Sequence, residues 1–321
     1  MDFYLDGYRV TTCKKPVKCA PILLKNNGFP SYEKKTNMTW QLDHTQLSRF
    51  LQCPERYRLE FQEGLQRSEG AENLPMKFGQ LLHERLETWY GNATAGSTLS
   101  QWTVPPEEKL YTTANAIAIE TAYCQQYASD KEVYFVEDVE PLLTLPLSPD
   151  LPPYYVKVDA ILRDEQGSVW GLETKTTARK QGLGDSFWQQ WEMSSQISGE
   201  YAAIQEAYGE CGECAGIIVN AIWFGQRQRA SERGPAGFFV ECERQVFSRT
   251  PEQLENWKLR TARTMRRLIQ TVEDGRFEQN TRECLYCPYL PLCLSVDSPG
   301  VREAMFVKVA EPLAYMGKVA T

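Results

Sequence analysis

The stretch VKVDAILRDEQGSVWGLETKTTARK, residues 156–180, places two carboxylates and an ammonium group where a sheet is expected to be apolar. Asp159 interrupts one apolar run, and Glu173-Thr174-Lys175 closes the next. If Glu165-Gln166-Gly167 forms a three-residue hairpin loop with Gly167 in the left-handed position, Asp164 pairs with Ser168 and Asp159 falls opposite Glu173. Directly opposed residues on one face have Cβ atoms about 4.5–5.5 Å apart. Lys175, two residues beyond Glu173, points to the same face. Two carboxylates that close repel each other unless a cation sits between them. Hard oxygen ligands suit Mg²⁺ or Mn²⁺, which polarise a phosphoryl oxygen and acidify a bound water. Lys175 would then orient that water or stabilise charge developing on phosphorus. A solvated ion pair at a strand end accounts for the same residue types, and a one-residue slip in register would send Asp159 to the other face.

Positioning such groups takes a sheet and the helices that cover it. Residues 44–61 have helical apolar spacing at Leu47, Phe50 and Leu51, and Pro54 breaks the pattern, so two short helices are expected to meet near Cys53. Residues 76–90 form an amphipathic pattern through Phe78, Leu82, Leu86 and Trp89. Residues 106–128 read as a helix entered through Pro106 and two glutamates. Three strand-like runs follow, within EVYFVEDVEPLLTLPL, PYYVKVDAIL and SVWGLETK, then a helix over 187–209, two more strands in AGIIVNAIWF and AGFFVECERQVF, and a long helix over 251–275. This order predicts one α/β domain over 38–295 with a central mixed β-sheet flanked by helices, an arm over 1–37 and a tail over 296–321.

Composition sets the outer bounds. At 321 residues, 42% hydrophobic and 24% charged, the chain has the make-up of an ordinary globular protein with a large core. No apolar run reaches the roughly 18 residues of a membrane span, and MDFYLDGYRVTTCKK lacks the basic-then-apolar order of a secretory signal, so an intracellular, cytoplasmic location is expected. A net charge of −7 argues against a broad surface for coating nucleic acid but leaves room for a local basic groove. Ten cysteines in such a chain suggest metal binding or burial rather than a disulfide framework.

At this point the sequence resembles a family. Asp159 followed by Glu173-Thr174-Lys175 is similar to the core motif of the PD-(D/E)XK nuclease superfamily. FGQLLHERLE, with Gly79 and His83, resembles the G-x-x-x-H helix of its RecB-like branch, which includes Cas-type exonucleases. Ser48, Cys53, Pro54 and Tyr57 resemble that branch's S-x-x-x-x-C-P-x-x-Y element, and Cys284, Cys287 and Cys293 resemble its C-terminal cysteine triplet. The family carries Q-x-x-x-Y on the helix after the E-x-K strand. Here Gln196 matches, Glu200 stands in the tyrosine slot, and Tyr201 comes one position late.

The resemblance implies a restriction-endonuclease-like core whose chain ends are stapled by a four-cysteine 4Fe–4S cluster on Cys53, Cys284, Cys287 and Cys293, with zinc as the alternative occupant. It implies Mg²⁺ or Mn²⁺ held by His83, Asp159, Glu173 and the Thr174 carbonyl, with Asp159, Glu173, Lys175 and Gln196 catalytic. For His83 a structural role in the core is the competing reading, and for Glu140, where relatives often carry a glutamate, a surface position. Tyr201, Arg179 and Lys180 are weaker candidates for contacting DNA. The run Lys258, Arg260, Arg263, Arg266 and Arg267 reads equally as a phosphate track or a solvated helix face.

The activity implied is DNA phosphodiester hydrolysis, as an exonuclease on single strands or ends, in recombination, repair or CRISPR adaptation. The partners implied are DNA and a helicase or recombination protein, because no G-x-x-x-x-G-K-S/T loop is present for a motor of its own. The rival readings are a catalytically silent DNA-end-binding scaffold and a zinc-stapled structural protein. His44 is read as a helix-start residue without a role. Cys211 and Cys214 are read as buried or idle, as are Cys13, Cys19, Cys124 and Cys242.

Overall fold

The computed structural model describes residues 40–68, 74–91, 102–104, 107–210, 212–230 and 234–310, and the backbone of 4–5 and 8–9. In the N-terminal arm, β1 (Tyr4–Leu5) and β2 (Tyr8–Arg9) pair antiparallel. Cys13, Cys19 and Cys211 lie outside the described residues.

After β3 (Leu42–Asp43), helix α1 (His44–Gln52) starts where the Asp43 side chain accepts the Gln46 amide. It ends at extended Cys53, and Pro54 opens α2 (Pro54–Tyr57), as the spacing predicts. A π-helical turn (Arg58–Gln62) and β4 (Leu65–Arg67) lead to α3 (Leu74–Tyr90). Helix α4 (Thr113–Gln126) begins seven residues later than expected: Thr112 caps it, and Glu108 instead accepts the amides of Leu110 and Tyr111 in a turn ahead of the helix. A single turn, α5 (Asp130–Val133), follows.

The first two strand-like runs are each broken in the middle. The first divides into β5 (Tyr134–Val139) and β6 (Leu142–Leu145), the second into β7 (Tyr154–Lys157) and β8 (Ala160–Asp164). Both breaks fall at one level of the structure. The Glu140 amide donates to the Asp159 carbonyl at 2.9 Å, and the Val158 amide donates to the Pro141 carbonyl at 3.2 Å. Glu140 has φ +57°, a left-handed conformation uncommon for a residue with a side chain. The paired ribbon turns a corner here and passes from one sheet to another. Beyond Gly167 (φ +88°), β9 (Val169–Thr177) pairs antiparallel with β8, with Ala160 opposite Leu172. That is the register deduced from the hairpin loop; the ladder ends at Ala160, and Asp159 lies just beyond it in the bend.

The helix expected over 187–209 is two helices, α6 (Asp185–Glu192) and α7 (Ser195–Tyr208). The Ser194 hydroxyl caps the second by accepting the Ile197 amide, an alternative partner that lets the chain leave one helix and enter another. β10 (Cys214–Arg227) runs parallel to β9, and β11 (Gly237–Phe247) antiparallel to β10. α8 (Pro251–Asp274) has a complete capping box at Thr250 and Gln253 and ends at left-handed Gly275.

The central sheet has the order β11-β10-β9-β8-β5, and a second sheet the order β3-β7-β6. Alternation along β10 separates two cores. Ile217, Val219 and Ala221 pack with Ile197 and Ile204 of α7 and with Met265 and Leu268 of α8. Ile218, Ile222 and Phe224 pack with Phe78, Leu82 and Leu86 of α3 and with Ile119 and Tyr123 of α4. The architecture is therefore the expected mixed sheet between helical layers.

The tail expected from 296 is structured through residue 310. After α9 (Leu290–Leu294), α10 (Pro299–Met305) leads to β12 (Phe306–Lys308), which pairs with β4. Leu59, Leu65, Tyr289, Leu292 and Phe306 bury a small cluster between these ends of the chain. Among the described residues no helix is long and apolar enough to cross a membrane.

Candidate functional site

The corner of the ribbon brings the predicted residues together. Asp159 sits at the bend between β7 and β8, and its Oδ2 accepts the Thr174 amide at 2.6 Å. His83, on α3, reaches the same oxygen, with Nδ1 at 3.5 Å. Gly79 eases the approach of α3 to the sheet. It lies one turn before His83, and a Cβ there would stand 3.2 Å from the Thr176 hydroxyl of β9, so glycine lets α3 lie against the strand.

Glu173 is buried and paired with the Lys175 ammonium. Gln196, in the first turn of α7, bridges the pair. Its Nε2 donates to Glu173 Oε1 at 2.8 Å, and its Oε1 accepts from Lys175 Nζ at 3.2 Å. The Lys175 ammonium also lies 5.4 Å from the centre of the Trp191 ring on α6. On the other side of Asp159 opens a cleft of about 250 Å³ lined by His83, Glu87, Glu140, Asp159 and Thr174. The Glu140 carboxylate is paired there with Lys157.

Charge at this corner is unevenly shared. Burial alone would raise the Asp159 carboxyl, but His83, Lys175 and the Thr174 amide hold it below the ordinary range. Glu173 is raised by burial and then by the Asp159 charge, against the pull of Lys175. Burial would lower His83, yet the Asp159 carboxylate beside it leaves its pKa above the usual value. Glu140 is pushed from 4.5 to about 7 by burial and then by Asp159, with Lys157 opposing.

This gives a pH dependence with a definite sign. An unfolded chain releases the Glu140 proton near 4.5 and the folded one near 7, so stability falls as pH rises between those values. Glu140→Gln is expected to remove up to about 3 kcal/mol of that fall. Urea unfolding of the metal-free proteins at about pH 5 and about pH 8 measures it. An unchanged pH dependence in the variant would refute the assignment.

Several sequence expectations meet a different geometry. Tyr201 is not brought to the site: it is buried, and its hydroxyl donates to the Cys214 carbonyl at 2.6 Å. Glu200, in the slot where tyrosine was expected, takes that place. It is 1% exposed, and burial and then the Glu173 charge push its carboxyl well above the usual range. The i, i+4 spacing from Gln196 was the signal that could have found it. His44 opens α1, as expected. Its Nε2 is 3.2 Å from Ser48 Oγ, and burial followed by the nearby Lys175 charge lowers it to about 4. Arg179 and Lys180 are exposed just past β9. In the basic run of α8, Arg266 pairs with Asp150 and Lys258 with Glu255, which fits a solvated face for those two residues.

Cys53, Cys284, Cys287 and Cys293 line one cleft of about 360 Å³ together with Leu59, Asn280 and Tyr289. The Asn280 amide donates to Cys53 Sγ at 3.4 Å, and its side chain donates to the Gln52 carbonyl at 2.7 Å. Burial, then Glu55 and the other three cysteines, push the Cys293 thiol up to about 11. Cys214 and Cys242 are buried and Cys124 is half-buried, all as free thiols. Among the described residues no three His, Cys, Asp or Glu side chains already stand in a metal-enclosing arrangement.

The donor chemistry nevertheless fits both groups the sequence points to. The buried Glu173 carboxylate and the half-buried Asp159 carboxylate, with the His83 imidazole beside Asp159, form a hard-ligand set suited to a divalent cation. Four thiols at one cleft form a complete soft-ligand set.

The family model of the PD-(D/E)XK nuclease superfamily matches residues 41–294. No curated protein matches the sequence. Among solved structures, that of a candidate exonuclease from Eubacterium rectale is 10% identical, with 74% of this chain and 84% of that chain covered and a TM-score of 0.49. The structure of SSO0001 is 14% identical, with 83% and 88% covered and a TM-score of 0.33. Neither likeness is strong enough to carry an argument, and the family match is what places the chain.

Proposed function

Because this chain belongs to the PD-(D/E)XK nuclease superfamily, whose members hydrolyse phosphodiester bonds and generally use divalent metals such as Mg²⁺, we propose that it is a metal-dependent deoxyribonuclease of the RecB-like branch, acting as an exonuclease on single strands or DNA ends. The observation that carries this reading is the convergence of Asp159, Glu173, Lys175 and Gln196 at one corner of the sheet.

His83, Asp159, Glu173 and the Thr174 carbonyl would hold Mg²⁺ or Mn²⁺, which supplies a polarised phosphoryl oxygen and an acidified water. Lys175 faces the reacting phosphate and offsets its developing charge. Gln196 holds Lys175 and Glu173 in a fixed relation, and the lysine cannot swing away without breaking its bonds to both. Arg179 and Lys180, exposed beside the strand end, meet the phosphate backbone, and their contribution weakens with salt. Cys53, Cys284, Cys287 and Cys293 would hold a 4Fe–4S cluster, with zinc the alternative, which would add a covalent tie between chain segments already joined by β4 and β12. Recombination, repair or CRISPR adaptation, beside a helicase partner, are the settings this reading assigns.

The test is protein purified without oxygen and incubated with end-labelled single- and double-stranded DNA. Degradation is expected with Mg²⁺ or Mn²⁺ and not with chelator. Iron and acid-labile sulfide near four of each per chain are expected on analysis, and loss of both in Cys287→Ser. DNA binding without hydrolysis in any metal would favour a silent end-binding subunit. Zinc without sulfide would replace the cluster.

A further inference from the structure

One buried carboxyl at the site has no task in that scheme. Glu200 lies on α7 one turn after Gln196, on the same face of the helix. It is 1% exposed, and its carboxyl oxygens make no well-formed hydrogen bond, only a weak approach by the Gln196 side chain. A buried polar group without a partner is costly, so its presence calls for a reason. Its electrostatic neighbours are Glu173, Lys175 and Asp159, with the buried Tyr154 also within reach.

The reason lies in how Lys175 is held. Its ammonium has two partners, the Glu173 carboxylate and Gln196 Oε1. Only the first carries charge, and Glu173 is also one of the two carboxylates on which a cation depends. When Glu173 turns to a cation, Lys175 loses its counter-ion and is repelled by the cation at the same moment. A second carboxyl must then sit within reach of the ammonium. Glu200 is placed for this by α7, the same helix that supplies Gln196.

We propose that Glu200 is a positioning residue that receives the Lys175 ammonium when Glu173 engages a divalent cation, and so keeps the lysine aimed at the phosphate. This rests on the nuclease reading. In it the site carries one carboxyl more than cation binding needs, and the extra one serves the lysine.

Glu200→Gln, Glu200→Leu and Lys175→Ala are compared with the unaltered protein in three measurements: melting temperature, Mn²⁺ binding by calorimetry without DNA, and steady-state hydrolysis of DNA. Glu200→Gln and Glu200→Leu are expected to melt at or above the unaltered protein, because a buried unpaired carboxyl has been removed. They are expected to bind Mn²⁺ with unchanged affinity. Their kcat is expected to fall by about 10- to 100-fold at unchanged KM, the size of effect a displaced catalytic group produces. Unchanged kcat in both variants overturns the proposal. A lowered melting temperature in both, with full kcat below it, also overturns it by making Glu200 a packing residue. Mn²⁺ binding weakened about tenfold overturns it in favour of Glu200 as a cation ligand. Absence of hydrolysis by the unaltered protein in Mg²⁺ or Mn²⁺ identifies a failure of the nuclease reading itself, separate from that of Glu200, and hydrolysis by Lys175→Ala at the unaltered rate overturns the proposal by moving the centre off this strand.

Discussion

Lys175→Ala is expected to lower DNA hydrolysis by about 10²–10³-fold, the cost of removing one preorganised charge aimed at a developing oxyanion. The Lys175 ammonium lies among Glu173, Gln196 and the Trp191 ring. Removing it frees Glu173 from its ion pair and leaves that buried carboxyl more dependent on a cation or a proton. Divalent-ion binding should therefore persist in the variant while turnover falls. DNA affinity measured in Ca²⁺ should fall little, because Arg179 and Lys180 remain exposed at the strand end. Equal turnover by the variant and the unaltered protein would remove the catalytic centre from this strand.

Arg244→Ala is expected to cost about 3–5 kcal/mol of folding stability, the range for stripping one partner from a buried ion pair. Arg244 on β11 makes two bonds to Asp130, at 2.7 and 2.6 Å, and its Nη2 lies 3.1 Å from the hydroxyls of both Tyr90 and Tyr123. Its guanidinium stacks 3.5 Å from the Tyr127 ring centre. Asp130 is 6% exposed, so deleting the arginine strands a charge that water cannot reach. The same network holds Asn220 of β10, whose amide donates to Tyr123 Oη at 2.6 Å.

Urea unfolding is the direct measurement, and a loss below about 1 kcal/mol would show that the network is dispensable. The consequence reaches the site through α3. Tyr90 ends the helix that carries His83, and it lines the same cleft. Activity of the variant assayed well below its melting temperature should recover if Arg244 acts only through stability.

Where the deciding interaction was local, the residues disclosed it. The three-residue loop ending in Gly167 set the hairpin register, because a short loop leaves one way to pair its strands. That register brought Asp159 to the end of the ladder beside Thr174, and the bend beyond it completed the placement. Pro54 after Cys53 broke the first helix for a similarly local reason, a missing amide hydrogen. The pairing of Gly79 with His83 on one helix face followed from the helical repeat.

The rest depended on partners distant in sequence. Nothing within residues 134–164 except Pro141 marks the corner where two strands become four, because the bend is fixed by the cross-strand bonds between Glu140 and Asp159 and between Val158 and Pro141. Whether Glu200 or Tyr201 faced Lys175 turned on how α7 is rotated against β9 and β10, which packing of Ile197 and Ile204 decides. His44 came within reach of Lys175 only because α1, more than a hundred residues earlier, packs beside α7. Periodicity determines which residues share a face of their own element. Which faces meet is a property of the packed core, and at this site that core placed the carboxyl that local pattern had read as a missing tyrosine.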